Sequence, residues 1–390
     1  MSKSPESVAV VGAGLVGSLI ALGLARKGYK VTVFDYRPDS RDQSSGKTNL
    51  RSINLAVSAR GIDAMRYVDE DMSKEALKGI IPMYGRMIHD TKGKQESQIY
   101  GLFGESINSI DRAKLNESLY DQIDKFNKLN GDLKIELKFK YKVKNVDLKG
   151  VPTVVCVDPQ GSDKETDVVK FEYDFIIGAD GAFSQVRSSL QRYIRMNYSQ
   201  EYIDMCYLEL YIPPGPNGSF SIDPNHLHIW PRKDFMLIAL ANADGSFTST
   251  FFGPWKLTES LKEPKQITEF FTTNFPDAVD LIGIDKVVEC FTTYPKGALM
   301  HVTCNQYHHQ DKCIIIGDAA HSMVPFYGQG MNCGFEDVRI LLQLLEKHKG
   351  NRTDAFEEYT KTRHEDLKAI LKLALDNYNE MSTKIGYSLF

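Results

Sequence analysis

The sequence predicts a mixed α/β fold with a mainly parallel sheet in a first domain, an antiparallel sheet in a second, and helices at the carboxyl end. Three observations carry this. The stretch SVAVVGAGLVGSLIALGLARKGYKVTVFDYR near the amino end reads as strand, tight turn, amphipathic helix and second strand, with Gly28 as the helix stop. Between Tyr202 and Gly253 the pattern changes to short runs, CYLELYIPP, HLHIWPR, FMLIALAN and SFTSTFFG, broken by Pro, Gly, Asn and Asp as antiparallel strands are. From Cys333 onward the chain reads as helix.

In chain order, the opening βαβ unit is followed by an irregular region from Asp71 to about Tyr100 that holds two strand-like pieces, YGRMIHD and SQIYGL. Ser109 and Asp111 are candidate caps for the helix after them. LKIELKFKYKVKNVDL and PTVVCVDP alternate as strands do, and YDFIIGADGAFSQVRSSL is an apolar strand that delivers Asp180 into a turn and helix. KCIIIGDAA repeats that arrangement at Asp318, which returns the chain to the first domain. The expected division is therefore discontinuous: 1–70, 101–195 and 290–350 form the first domain, 71–100 and 196–289 the second, and 351–390 a C-terminal helical region.

Composition narrows the function classes. The 390 residues are 42% hydrophobic and 25% charged, as soluble globular chains are, with a net charge of −4. No basic stripe interleaved with aromatics is present, so nucleic acid is not an expected partner. The six cysteines are scattered with no Cys-x-x-Cys and are expected to be reduced, structural thiols. His308 and His309 have no carboxylate or cysteine at ligand spacing, and no metal is expected. No apolar run approaches the roughly 18 residues that cross a bilayer.

Gly12, Gly14 and Gly17 form G-x-G-x-x-G directly after a strand and at the opening of a helix. The first permits the tight turn, the second lets backbone amides approach a pyrophosphate, and the third lets helix and strand pack closely. Asp35 stands at the tip of the second strand, where a carboxylate accepts from a ribose 2′-hydroxyl. The first domain is thus expected to be Rossmann-like and to bind a dinucleotide without a 2′-phosphate. No second G-x-G-x-x-G follows a later strand.

In place of a second glycine fingerprint the chain carries ADGAFSQVR, with Asp180, Gly181 and Arg187, and GDAAHSMVPFYGQGMN, with Asp318. These motifs, in this order, resemble the single-component flavin-dependent aromatic hydroxylases of the p-hydroxybenzoate hydroxylase fold. RSINLAVSARG, IPMYGRMIHD, LHIWPR, PFYGQGMNCGFED and NYNEM narrow the resemblance to the kynurenine 3-monooxygenase family, most closely its fungal forms, over nearly the whole chain. The resemblance implies FAD as cofactor, with contacts falling on Gly12, Gly14, Val16, Gly17, Asp35, Arg37, Ala56, Arg112, Val143, Asp180, Asp318, Gly330, Met331 and Asn332. It implies substrate contacts on Arg86, Tyr100 and Asn377, with Glu380 and Phe326 as further candidates. NADPH is implied as a transient co-substrate that reduces FAD. Oxygen would then pass from a flavin C4a-hydroperoxide to the ring carbon ortho to the aniline nitrogen of L-kynurenine. The family also implies a membrane anchor beyond residue 390, at the cytosolic face of the mitochondrial outer membrane.

The chemistry of that substrate asks for the same residue types. Kynurenine is an aniline with an amino-acid tail, so its site should offer an arginine fork for the carboxylate, a hydroxyl beside it and acceptors for the ammonium. Arg86 and Tyr100 suit the first two roles, and Asn377 with Glu380, three apart on one helix face, the last. No residue is expected to act as an obligatory acid or base, because the amino group already activates the ring. A related hydroxylase of another aromatic acid or phenol, and a non-enzymatic prenyl-protein-binding relative of the same fold, are the alternative expectations.

Overall fold

A computed structural model describes residues 5–42, 54–131, 134–157 and 168–382, without the side chains of residues 379–382. Ser7–Val11, Leu15–Arg26 and Lys30–Asp35 form the expected strand, helix and strand. The two strands are parallel, with Val8 beside Val31 and Val11 beside Phe34. Val8, Val10, Val31 and Val33 are all buried, as the strands of a parallel sheet covered on both faces must be. The sheet is completed by distant segments: Phe175–Gly178 lies parallel to Ser7–Val11 on its other side, then Cys313–Ile315, while Glu136–Phe139 flanks Lys30–Asp35. His308–His309 closes one edge antiparallel. The strands that end at Gly12, at Asp180 and at Asp318 are therefore immediate neighbours, and their carboxyl ends converge where open α/β sheets hold ligands.

The second sheet has seven strands, in the order Gly297–Cys304, Tyr198–Ile212, Phe247–Gly253, Phe235–Ala241, His226–Arg232, Gly85–His89, Gln95–Ile99. All neighbours are antiparallel except His226–Arg232 with Gly85–His89. Two domain assignments are corrected here. Gly297–Cys304, placed in the first domain by the sequence, pairs with Tyr198–Ile212 in the antiparallel sheet. Glu70–Ala76 buries Met72 and Ala76 in the core of the parallel sheet, although residues 71–100 were placed in the second domain. Alternation identifies a strand but not its sheet, and an apolar helix stripe does not name the layer it covers.

The faces of this sheet differ in what they meet. Trp230, Leu237 and Phe251 pack against Phe271, Phe275 and Phe291 of the helices Pro264–Asn274, Pro276–Ile282 and Ile284–Thr293. On the opposite face Met205, Met236 and Phe252 pack against Val324, Phe326 and Ala374, the last from the long helix Arg352–Ser382. Glu209, Thr250, Ile238, Ile229 and Ile88 are successive cross-strand partners along that second face. Arg86, two residues from Ile88, shares it.

A buried polar chain lies on the helix-covered side. His89 Nδ1 bonds Asp277 at 2.7 Å and its Nε2 bonds His228 Nδ1 at 2.8 Å, while His228 Nε2 meets the Asp223 carbonyl at 2.7 Å. A carbonyl can only accept, so His228 donates there and accepts from His89. Burial, with His89 beside it, lowers the His228 pKa to about 4. With the folded-state value below the unfolded one, near 6.5, the unfolded chain takes up the proton first as pH falls. His228→Gln is therefore expected to flatten the acid limb of stability between about pH 6.5 and 4, where His228 itself contributes a loss of about 3 kcal/mol, checked by denaturant midpoints at both pH values.

Candidate active site

The glycine turn is fixed by sterics. Gly12 has φ of 101°, and a Cβ there would stand 2.4 Å from the Ala179 carbonyl oxygen, in the neighbouring strand's turn. A Cβ on Gly17 would lie 1.8 Å from the Gly12 carbonyl oxygen. Around Gly14, by contrast, no atom lies within 4 Å of that position, and the helix it opens has no side-chain cap. Free amides beside open space form an anion cradle. Gly17→Val is expected to separate strand from helix and to yield protein with little bound flavin, read from the ratio of flavin to protein absorbance.

Asp35 is buried at its strand tip, but it is more committed than the sequence implied. One oxygen accepts from the Ala13 amide at 2.8 Å, and Arg37 grips the carboxylate through Nε at 2.9 Å and Nη2 at 2.7 Å. The Arg37 amide adds a fourth bond at 2.8 Å, so the carboxylate is fully engaged in locking the turn that carries Gly12 and Gly14, and a ribose hydroxyl that takes Asp35 must displace one of the Arg37 donors. Val143, on Lys142–Asp147, packs into the first core beyond this end of the sheet.

The Asp180 motif is largely structural. Its carboxylate accepts from Ser184 Oγ at 2.6 Å and from the Gln185 and Val186 amides at 2.7 and 3.1 Å, which caps the helix Gln185–Leu190. Arg187, buried, donates to the carbonyls of Ala182 and Ala319, and so ties this turn to the next motif. Asp180 thus shapes the turn beside the expected cofactor position, its carboxylate held by local hydrogen bonds. Asp318 is different. It stands half-buried at the start of Asp318–His321, and no hydrogen bond or ion pair among the described residues occupies it.

Downstream, Gly328 adopts a left-handed conformation with φ of 63°, and Gly330–Lys347 begins with no side-chain cap. Asn332 is fully buried; it donates to the carbonyls of Ala56 and Gly328 at 2.8 Å each, and accepts from the Ser58 amide at 2.9 Å. Its side chain thus fastens the Leu55–Val57 strand to the helix start, which leaves only its backbone, with that of Gly330 and Met331, for a flavin. Val16 fills the space against Gly317 and Gly334. Arg112 is exposed at the first position of Arg112–Leu129, without an ion pair among the described residues. Open amides at one end, a free carboxylate at Asp318 and a free guanidinium at Arg112 fit a long dinucleotide across the carboxyl ends of the sheet.

Arg86 and Tyr100 are brought together on the far strands of the second sheet. Arg86 pairs with Gln98, and the Tyr100 amide donates to the Tyr84 carbonyl at 2.9 Å, so the two side chains are diagonal neighbours on one face. Arg86 Nε and the Tyr100 hydroxyl are both buried, and neither has a hydrogen-bond partner. Burial raises the Tyr100 pKa while the Arg86 charge opposes the rise. Two orphaned donors side by side cost stability unless a ligand accepts from them.

Phe326 lies between Phe252, 5.2 Å away, and Tyr378, 4.7 Å away, as a wall joining the sheet face to the C-terminal helix. Asn377 is buried, and its amide donates to the Phe326 carbonyl. That bond makes Asn377 a joint between helix and loop, in addition to the role expected for the ammonium. Glu380 continues the helix, and its side chain lies outside the described residues, as does Arg51 of the RSINLAVSARG motif.

His321, left out of the expected site, is buried and bonds Asp337 through Nε2, while Asp337 accepts from the Gly317 amide at 2.9 Å and from Arg363 at 2.8 and 3.0 Å. Among the described residues no group of metal-ligating side chains has the geometry to hold an ion. Glu209 and Thr250, which no motif singles out, face each other across adjacent strands, and the buried Thr250 hydroxyl has no hydrogen-bond partner. The signal was present in CYLELYIPP, where a lone acid interrupts an apolar strand.

Fold and site together define a flavoprotein monooxygenase. The FAD binding domain family matches residues 6–374. Among solved structures, 2-methyl-3-hydroxypyridine-5-carboxylic acid oxygenase in its tetrameric form superposes with a TM-score of 0.75 at 17% identity, covering 99% of this chain and 95% of that one. PqsL of Pseudomonas aeruginosa in complex with 2-aminobenzoylacetate does so with a TM-score of 0.73 at 18% identity, over 97% and 96%. Likeness at that identity speaks for the fold alone. Sequence relatives are much nearer: kynurenine 3-monooxygenase of Candida albicans is 56% identical over 99% of this chain and 83% of its own, and that of Saccharomyces cerevisiae 52% over 99% and 84%. The chain belongs to the kynurenine 3-monooxygenase family.

Proposed function

We propose that this chain hydroxylates L-kynurenine at the ring position ortho to its amino group, with NADPH and O2 as co-substrates and FAD as cofactor. The observation that carries the substrate is the pair of orphaned donors, Arg86 Nε and the Tyr100 hydroxyl, buried together at one end of the sheet face. Bound FAD supplies the reduction by NADPH and the activation of oxygen.

The residues that would hold it are the amides at Gly14 and the helix start, Asp35, Arg112, Asp318 and the backbone from Gly330 to Asn332. The amino-terminal end of Gly330–Lys347 offers unpaired amides to whatever negative charge develops at that edge. Arg86 and Tyr100 take the substrate carboxylate, which fixes one end of the molecule. Phe326 and Phe252 form an apolar wall that excludes water from the ring. Asn377, by holding the Phe326 carbonyl, sets where that wall stands.

Among the described residues no helix is long and apolar enough to cross a membrane. A place at the cytosolic face of the mitochondrial outer membrane is part of the proposal by family resemblance, and fractionation of cells expressing the full gene product tests it. The reaction is tested by anaerobic flavin reduction with NADPH. Kynurenine is expected to accelerate reduction, and a rate indifferent to kynurenine but raised by another aromatic acid would assign the site to a different substrate.

A further inference from the structure

Glu209 and Thr250 lie directly opposite each other on adjacent strands, on the sheet face that also carries Arg86. The Thr250 side chain is 1% exposed, and its hydroxyl has no hydrogen-bond partner. Glu209 is half-buried and makes no hydrogen bond or ion pair among the described residues. Unpaired polar groups on a largely apolar face cost stability unless a ligand meets them. Neighbours on that face, Phe252 and Met236, pack on Phe326 and Val324, so the pair shares its face with the proposed substrate wall.

The spacing is informative. Arg86 and Glu209 are separated by four strand-to-strand steps, about 19 Å between their backbones, and side chains reaching inward from both ends narrow the gap to that of a small aryl amino acid. A substrate held by its carboxylate at Arg86 places its ring toward Thr250 and Glu209. In kynurenine one aniline N–H is engaged by the molecule's own ketone, and the other is free to donate.

We propose that Glu209, with the Thr250 hydroxyl beside it, is the ring end of the substrate site and accepts the free N–H of the aniline, which makes it a specificity-determining residue for ortho-amino aryl ketones. This rests on kynurenine being the substrate. Burial, with Asp111 adding to it, raises the Glu209 pKa to about 7. The charged and titratable groups around it are Asp111 and Arg112 at the start of the helix Arg112–Leu129, and Tyr207 on its own strand. As pH rises through 7 the carboxylate forms and becomes the stronger acceptor.

The test compares the affinity of the FAD-loaded protein for kynurenine and for 2-amino-4-oxo-4-phenylbutanoate, which lacks only the ring amino group, by titration of the flavin absorbance. The unaltered protein is expected to prefer kynurenine by about tenfold or more, the ratio rising with pH through 7. Glu209→Leu is expected to bring the ratio to about one. Glu209→Gln, whose amide oxygen still accepts, should keep a preference but lose its pH dependence, and it decides the matter if the leucine variant does not retain FAD. A preference undiminished in Glu209→Leu, or a pH dependence that persists in Glu209→Gln, overturns the assignment while leaving kynurenine as substrate. Binding of neither compound to the unaltered protein would overturn both.

Discussion

Arg86→Met is expected to lower kcat/KM for kynurenine by about a hundredfold or more while FAD remains bound, because two charge-assisted hydrogen bonds to the carboxylate are lost together. The strand around Arg86 is held by backbone pairing with His226–Arg232 and Gln95–Ile99, and the buried Nε has no partner, so loss of the guanidinium is expected to leave the fold in place. Tyr100→Phe should cost less, about tenfold, since it removes one neutral donor. Both effects are read by steady-state kinetics beside the flavin content. If Arg86→Met hydroxylates kynurenine with near-normal KM, the carboxylate is held elsewhere and Arg86 leaves the site.

The largest effect on stability is expected at Asp337. This buried carboxylate binds His321, Arg363 and the Gly317 amide, and so joins the turn before Asp318 to the helix that carries Asn377. Burial alone would raise its pKa, but His321 and Arg363 outweigh that and hold it well below the ordinary carboxylate range. A depressed carboxyl stabilises the fold above its unfolded pKa, near 4, and the contribution is lost as pH falls below that value. Asp337→Leu removes the fully buried counter-charge of Arg363 and leaves it only Glu336 at 3.2 Å and Asp366 at 3.4 Å, and should destabilise by about 3 kcal/mol, measured by the denaturant midpoint. Because the same carboxylate positions Gly317, flavin affinity should fall with it. A fully stable Asp337→Leu protein would show that the network does not hold the helix.

Much of this architecture was legible because it is written in short-range patterns. G-x-G-x-x-G after an apolar strand has one economical use, and the two later strands that end in aspartate read the same way. Their adjacency in one sheet was not legible, since pairing of residues 7–11, 175–178 and 313–315 depends on contacts far apart in sequence. For the same reason Gly297–Cys304 was assigned to the wrong sheet. The family motifs pointed to Arg86, Tyr100 and Asp318, and among the described residues Arg86 Nε, the Tyr100 hydroxyl and the Asp318 carboxylate are without hydrogen-bond partners. The side chains of Asp180 and Asn332 are also held by local hydrogen bonds, which a motif cannot reveal. Glu209 went unnoticed because its meaning comes from Thr250 on another strand, forty-one positions away.

The central claim is tested most directly by the product. FAD-loaded protein incubated in air with NADPH and L-kynurenine should yield 3-hydroxykynurenine in proportion to NADPH consumed, identified by mass and by comparison with the authentic compound. NADPH consumption that yields hydrogen peroxide and leaves kynurenine unchanged would contradict it.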